Sequence, residues 1–256
     1  MMVDLQVEIG ELEDQDEVGI YPLDKPVGPT SFRLVQLVRR ALGIKKTGHA
    51  GTLDPFASGL LLICVGRPAT RIIDQLMGGE KVYEGTLALG VETDTLDREG
   101  KVVATHPVPP LDIDQVNQCL AGFVGEQLQM PPLYSALKHK GKPLYRYARQ
   151  GVEIPREPRP VVIHALELLG LEKEFLKIRV RCGKGTYIRS LAADIGRALG
   201  CGAHLDTLRR VRSGGFSVER AVDGELLIGE PVRARELLLA GRLGVVEGLA
   251  LNCECQ

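Results

Sequence analysis

The chain has 256 residues, with 32 Lys and Arg against 33 Asp and Glu, and a net charge of −1. That length holds one large domain or two smaller ones, and an apolar content of 44% is ordinary for a globular protein. No apolar run approaches membrane-spanning length, and the acidic N-terminus resembles neither a secretory signal nor a transit peptide, so a cytoplasmic protein is expected.

In chain order, residues 1–18 come first, with seven acidic side chains and no basic ones. They predict a polar, flexible extension. A short strand at Val18-Gly19-Ile20 leads to the turn-rich Asp24–Ser31, with a helix N-cap at Thr30 or Ser31. Leu34, Val35, Val38, Ala41 and Leu42 then share one helical face, and Gly43 stops the helix. The basic pair Lys45-Lys46 precedes Gly48-His49-Ala50-Gly51-Thr52-Leu53-Asp54-Pro55-Phe56-Ala57-Ser58-Gly59. Leu60 to Val65 reads as a buried strand anchoring that loop. Lys81–Leu89 alternates, with Tyr83, Gly85, Leu87 and Leu89 on an apolar side. Residues 130–160, rich in Pro and basic side chains, read as a projecting insert. Lys177–Gly183 alternates with Ile178, Val180 and Cys182 inward. A helix follows from about Thr186, with Ile188, Leu191, Ala192, Ile195 and Leu199 on its apolar face. Strands and helices mix without a strict βαβ repeat, which favours an α+β fold with a largely antiparallel sheet.

The near-neutral charge conceals an asymmetry. Without residues 1–18 the chain has 32 basic against 26 acidic residues. Residues 138–159 and 177–212 concentrate the excess. Clusters of this kind form nucleic-acid footprints or solvated faces. The six cysteines, Cys64, Cys119, Cys182, Cys201, Cys253 and Cys255, lack paired zinc spacing. The first four are expected to be buried thiols and the last two exposed.

Several side chains carry candidate chemistry. Asp54 lies among glycines and just before a proline, a constrained setting that suits either an active-site carboxylate or a turn cap. Arg189 lies in the first turn of its helix, where a cation opposes the helix dipole by about 0.3–1 kcal/mol. It calls for a carboxylate partner unless it faces solvent. Gly183-Lys184-Gly185-Thr186 lacks the full phosphate-loop pattern, so a nucleotide hydrolase is rejected. Tyr83 is a core tyrosine or a platform for a base. His49 is open between general base, RNA contact and turn support.

Taken together, these segments resemble the TruB family of tRNA pseudouridine synthases. The matching pieces are Asp24-Lys25-Pro26-x-Gly28-x-Thr30-Ser31, then Lys46-Thr47-Gly48-His49-x-Gly51-Thr52-Leu53-Asp54-Pro55-x-Ala57-x-Gly59, then Lys81-x-Tyr83. Met130-Pro131-Pro132-x-Tyr134-Ser135-Ala136-x-Lys138, Gly185-Thr186-Tyr187-Ile188-Arg189-Ser190-Leu191 and Gly202-Ala203-His204-Leu205-x-x-Leu208-Arg209-Arg210 follow in order. The resemblance covers roughly residues 19–220. It implies a pseudouridine synthase fold, with a mixed, largely antiparallel central sheet flanked by helices and loops. It also implies conversion of uridine 55 in the tRNA T-loop to pseudouridine, with no cofactor and no metal.

By the same resemblance, Asp54 is the catalytic aspartate, Arg189 its partner, and Tyr83 the stacking tyrosine, also a candidate for removing the C5 proton. Leu208 walls the pocket and His49 fills the space left by a flipped nucleotide. Lys25 supports the loop or contacts RNA, while Arg209, Arg210 and Lys138 meet RNA, Lys138 from the insert that closes over the T-arm. Residues 221–256 are too short for the family's usual C-terminal RNA-binding PUA domain and are expected to be a tail with a helical stretch near Val232–Leu239. A monomer without an obligatory protein partner is expected. Three other readings compete: the related synthase of guide-RNA particles, a non-catalytic RNA chaperone, and a hydrolase using His49 with Asp54.

Overall fold

The computed structural model describes residues 17–148, 150–152, 154–230 and 232–253. Apart from Glu17 and Val18, the acidic extension expected over residues 1–18 lies outside the described residues, as does Cys255. In chain order the elements begin with β1 (Gly19–Lys25), α1 (Ser31–Leu42), β2 (Thr47–Ala50), β3 (Ser58–Val65), α2 (Gly66–Arg71) and α3 (Ile73–Gly78). Then come β4 (Lys81–Leu89), β5 (Val91–Thr93), β6 (Val102–Thr105), α4 (Ile113–Ala121), β7 (Gly125–Gln129), β8 (Lys138–His139), β9 (Lys142–Pro143) and α5 (Leu144–Ala148). β10 (Arg159–Glu172), β11 (Phe175–Cys182), α6 (Ile188–Ala198), β12 (Ala203–Ser213), β13 (Phe216–Ser217) and β14 (Val222–Asp223) precede the last helices, α7 (Gly224–Gly229), α8 (Ala234–Ala240) and α9 (Val245–Cys253).

The chain forms two units, one up to Tyr83 and from Arg209 onward, the other Glu84–Leu208. β4 and β12 each carry the chain from one unit to the other. In the first unit the strand order is β14-β1-β3-β12, with β2 on β3 and β13 on β12. β3 is apolar from Leu60 to Val65 and buried from Gly59 to Val65, because both of its faces are covered. One face, through Leu60, Leu62 and Cys64, joins Ile20, Ile72, Leu76, Phe216 and Val245 in a core cluster. Truncating such a side chain to Ala costs about 2–5 kcal/mol.

One edge of β3 is divided between two partners. Leu62–Val65 pair antiparallel with β2, whereas Ser58 and Gly59 pair in parallel with Arg209 and Arg210 of β12. The β2–β3 connection is therefore not a tight hairpin. The chain leaves the sheet after Ala50 and returns at Ser58, and Asp54 lies on that excursion. Gly59 makes the arrangement possible. It has a φ of 102°, and a Cβ there would lie 2.3 Å from the Arg210 carbonyl oxygen.

α1 starts at Thr30, whose side chain accepts from the Arg33 backbone N–H, and ends at Gly43 in the left-handed region. Leu34, Val35, Val38 and Leu42 face the core; Ala41 is only half-buried. The expected C-terminal tail contains three helices, α7, α8 and α9. Ile20 and Leu243 exchange two backbone hydrogen bonds of 2.9 Å, Val245 joins the core cluster, and Asn252 Nδ2 donates to the Gln75 carbonyl at 3.1 Å. α8 falls on the helical stretch expected near Val232–Leu239, whereas α7 and α9 are too short and unevenly patterned to stand out by periodicity alone.

In the second unit the strand order is β4-β11-β10-β7. β11 alternates as expected, with Ile178, Val180 and Cys182 buried and Lys177, Arg179 and Arg181 exposed. α6 begins at Ile188, two residues later than expected, with Tyr187 at its N-cap position. The insert holds the β8–β9 ribbon and α5, with Lys138, Lys140, Lys142 and Arg146 exposed. The antiparallel pairs β1–β3, β2–β3, β7–β10, β10–β11 and β12–β13 outnumber the parallel pairs β1–β14 and β3–β12. Cys64, Cys182 and Cys201 are buried, and burial pushes the Cys64 thiol up to about 12. Cys119 is only half-buried, against expectation, because it lies off the core face of α4 defined by Val116 and Leu120. Among the described residues no helix is long and apolar enough to cross a membrane.

Candidate active site

The Asp54 loop is held by its carbonyl oxygens. Arg210 donates to the Gly51 carbonyl at 3.2 Å, and the Ser31 hydroxyl to the Leu53 carbonyl at 2.9 Å. The Gly28 N–H donates to the Pro55 carbonyl at 2.8 Å, and Lys25 Nζ to the Ala57 carbonyl at 2.6 Å. Lys25 also donates to the carbonyls of Pro26 and Pro55, at 2.9 and 3.3 Å. Leu53, Phe56 and Ala57 are buried, while Asp54 remains partly exposed. The Ala57 N–H closes a turn onto the Asp54 carbonyl at 3.1 Å. The sequence thus spends its apolar side chains on anchoring the loop and keeps one carboxylate accessible.

Lys25 is 0% exposed, so of its two expected roles its contacts serve loop support. Its burial is tolerated because carbonyl dipoles replace water around the ammonium. Lys25→Met is expected to orphan the Pro26 and Ala57 carbonyls and destabilise the fold by about 3 kcal/mol. A thermal melt beside a turnover assay checks this, with turnover falling as the loop loosens.

Arg210, expected to meet RNA, is 2% exposed, and its Nε donates to the Leu60 carbonyl at 2.7 Å, so the guanidinium braces β3 and the loop. Arg209 is partly exposed and holds Asp24 with two hydrogen bonds, of 3.0 and 2.6 Å. Tyr83 lies half-buried on β4, two residues before the buried Gly85.

His49 lies on β2, half-buried, with Nδ1 shielded and lacking a hydrogen-bond partner among the described residues. Burial, and then the Arg210 charge, lower its pKa below the usual 6.5. The unfolded chain therefore binds the proton more tightly. Stability is unaffected above the unfolded pKa and falls as pH drops below it, until the folded pKa is passed. His49→Gln is expected to flatten the loss of melting temperature between about pH 7 and pH 5.

In the second unit Arg189 is 5% exposed, and its NH1 lies 3.4 Å from Oδ2 of Asp97, itself 7% exposed. Its guanidinium also donates to the Thr95 and Tyr134 carbonyls, at 3.0 and 2.9 Å. Asp97 Oδ1 accepts from the Thr95 hydroxyl at 2.6 Å and the Glu99 N–H at 3.0 Å. The turn that presents Asp97 contains Leu96 at a φ of 63°, strained for a branched side chain, and is tied to β12 through Leu205. Asp97 offsets the cation at the helix start. Sequence reasoning did not single it out, although Thr93-Asp94-Thr95-Leu96-Asp97 is a dense run of turn-forming polar residues. Leu208 is buried near Gly85, and Lys138 stands exposed on β8. Among the described residues no group of three or more His, Cys, Asp or Glu is placed to hold a metal ion.

Residues 39–188 match the family described as TruB family pseudouridylate synthase, N-terminal domain. The chain belongs to the TruB family. Residues 189–236 match the tRNA pseudouridylate synthase B C-terminal domain. Among TruB relatives, the tRNA pseudouridine synthase B of Desulfotalea psychrophila is 55% identical over 230 residues, covering 88% of this chain and 94% of that one. Its namesake in Aromatoleum aromaticum is 53% identical over 222 residues, covering 87% and 71%. Among solved structures, the crystal structure of a Cbf5-Nop10-Gar1 complex contains a similar chain, 30% identical with a TM-score of 0.71. The match covers 93% of this chain but only 63% of that one. The expected mixed-sheet fold of the family is therefore the fold found.

Proposed function

We propose that the chain converts uridine 55 in the T-loop of tRNA to pseudouridine, acting in the cytoplasm as a stand-alone enzyme. The observation that carries this reading is the Asp54 loop, held at the carbonyls of Gly51, Leu53, Pro55 and Ala57 and leaving its carboxylate accessible.

Pseudouridine formation breaks the N1–C1′ bond of uridine, turns the base, joins C5 to C1′ and releases the C5 proton. The base leaves and returns within one site, and the proton lost from C5 is matched by the one taken up at N1, so no atom is gained or lost overall. Asp54 assists the cleavage through a covalent intermediate. Arg189, held by Asp97 and two backbone carbonyls, pairs with Asp54 and keeps it ionised and aimed. Tyr83 stacks on the base and takes part in loss of the C5 proton, and Leu208 walls the pocket. His49, neutral at physiological pH because of its lowered pKa, occupies the space left when the uridine is extruded. Lys138 and Arg209 contact the RNA, and backbone charge supplies affinity while the splayed base supplies specificity.

The test is a bare tRNA transcript incubated with the purified chain and no guide RNA or partner protein. Pseudouridine mapped to position 55 supports the reading. A requirement for guide RNA would assign the chain to the particle-bound class, and free uracil would make it a hydrolase.

A further inference from the structure

Residues 26–53 carry five basic side chains, Arg33, Arg39, Arg40, Lys45 and Lys46, and no acidic one. The fold leaves most of this charge exposed. With Leu34, Val35, Val38 and Leu42 on the core side of α1, Arg33 and Arg40 point away from it, beside Phe32, which is 54% exposed. Lys45 and Lys46 continue the exposed stretch into β2. Arg39 joins the helix to that strand, donating to the Thr47 carbonyl at 2.6 Å while its guanidinium carbon lies 5.8 Å from the Phe32 ring centre. β2 carries His49 and feeds directly into the Asp54 loop.

This charge is not balanced as that of the segment 177–212 is. On β11, Lys177 pairs with Glu172 at 2.8 Å, and Arg179 pairs with Glu84 at 2.5 Å. Arg197 pairs with Asp194, and Arg209 with Asp24. Among the described residues Arg33, Arg40, Lys45 and Lys46 enter no ion pair. The helix dipole favours Arg39 and Arg40 in the last turn of α1, but it opposes Arg33 in the first turn, where no acid offsets it. It says nothing for Lys45 and Lys46. Folding thus leaves like charges exposed beside an exposed aromatic residue in the same segment, an arrangement that local stability does not account for and that a polyanion would neutralise.

We propose that the face formed by Phe32, Arg33, Arg40, Lys45 and Lys46 is an RNA-docking surface that binds backbone phosphates of the tRNA outside the target nucleotide. The inference rests on the proposed tRNA-modifying function and assigns a second region of contact to it. The face precedes the Asp54 loop in sequence and belongs to the same unit, so RNA bound there is held by the body that carries Asp54.

The test is the variant Arg33→Gln/Arg40→Gln/Lys45→Gln/Lys46→Gln. Its affinity for a tRNA transcript is measured across a salt series, with steady-state kinetics and a thermal melt. The changed side chains are exposed or half-exposed, so the melting temperature is expected to hold. The slope of log affinity against log salt is expected to become shallower by about 3, near one unit for each phosphate no longer neutralised. The loss of activity is expected in KM, by about tenfold or more at moderate salt, and not in kcat. Arg33→Lys/Arg40→Lys, which preserves charge, is expected to keep the slope. An unchanged slope and KM in the Gln variant, beside an active wild type, would overturn the surface and leave the proposed function standing. A wild type that binds tRNA with the expected salt dependence but forms no pseudouridine would overturn the function, while the slopes still decide the surface.

Discussion

Replacing Asp54 by Asn is expected to abolish pseudouridine formation, with kcat falling by at least about 10³-fold, while tRNA binding is retained. The amide has nearly the shape of the carboxylate, and the loop is held through its backbone by Ser31, Lys25, Gly28 and Arg210, so the fold should persist. What is lost is the charge and the nucleophilic oxygen. Single-turnover assays with enzyme in excess, beside a binding titration, separate the two effects. Substantial turnover by Asp54→Asn would remove Asp54 from the reaction.

The second large effect concerns the buried pair of Arg189 and Asp97. Asp97→Asn takes one carboxylate away from a guanidinium that is 5% exposed, and removing one member of a buried pair costs about 3–5 kcal/mol. Activity is expected to fall by about 10²-fold because the arginine loses its fixed position. A merely structural role is distinguished by the double variant Arg189→Met/Asp97→Leu. Removing both charges is expected to restore much of the stability, since neither buried charge of the pair remains. It is not expected to restore turnover, because the partner proposed for Asp54 is gone. Chemical denaturation and single-turnover rates of the wild type and the two variants check both parts.

Where the sequence pattern is local, it is legible. The continuous apolar run Leu60–Val65, the alternation of β11, the cap at Thr30 and the stop at Gly43 each follow from a few neighbouring side chains, and each appears in the structure. The Asp54 loop is equally readable as a constrained carboxylate. What the sequence conceals depends on contacts far along the chain. The burial of Lys25 and Arg210 is not legible in the sequence, because burial of a charge is decided by carbonyls supplied elsewhere, from Pro55, Ala57, Leu60 and Gly51. Asp97 is 92 residues from Arg189 in the numbering, and no periodicity joins them. The basic stretch 177–212 promises a nucleic-acid footprint, but Glu172, Glu84, Asp194 and Asp24 neutralise much of it. The less conspicuous run 26–53 keeps its charge. A count of basic residues locates clusters; only the fold shows which of them remain unbalanced.

The central claim is isomerisation of one tRNA uridine by this chain alone. The most direct measurement is tritium release from a tRNA transcript labelled at C5 of its uridines, followed by mapping of the modified position. Release approaching one tritium per tRNA, with the modification at uridine 55, is the predicted result. No release by well-folded protein from well-folded tRNA, or release mapped only to uridines outside the T-loop, would contradict it.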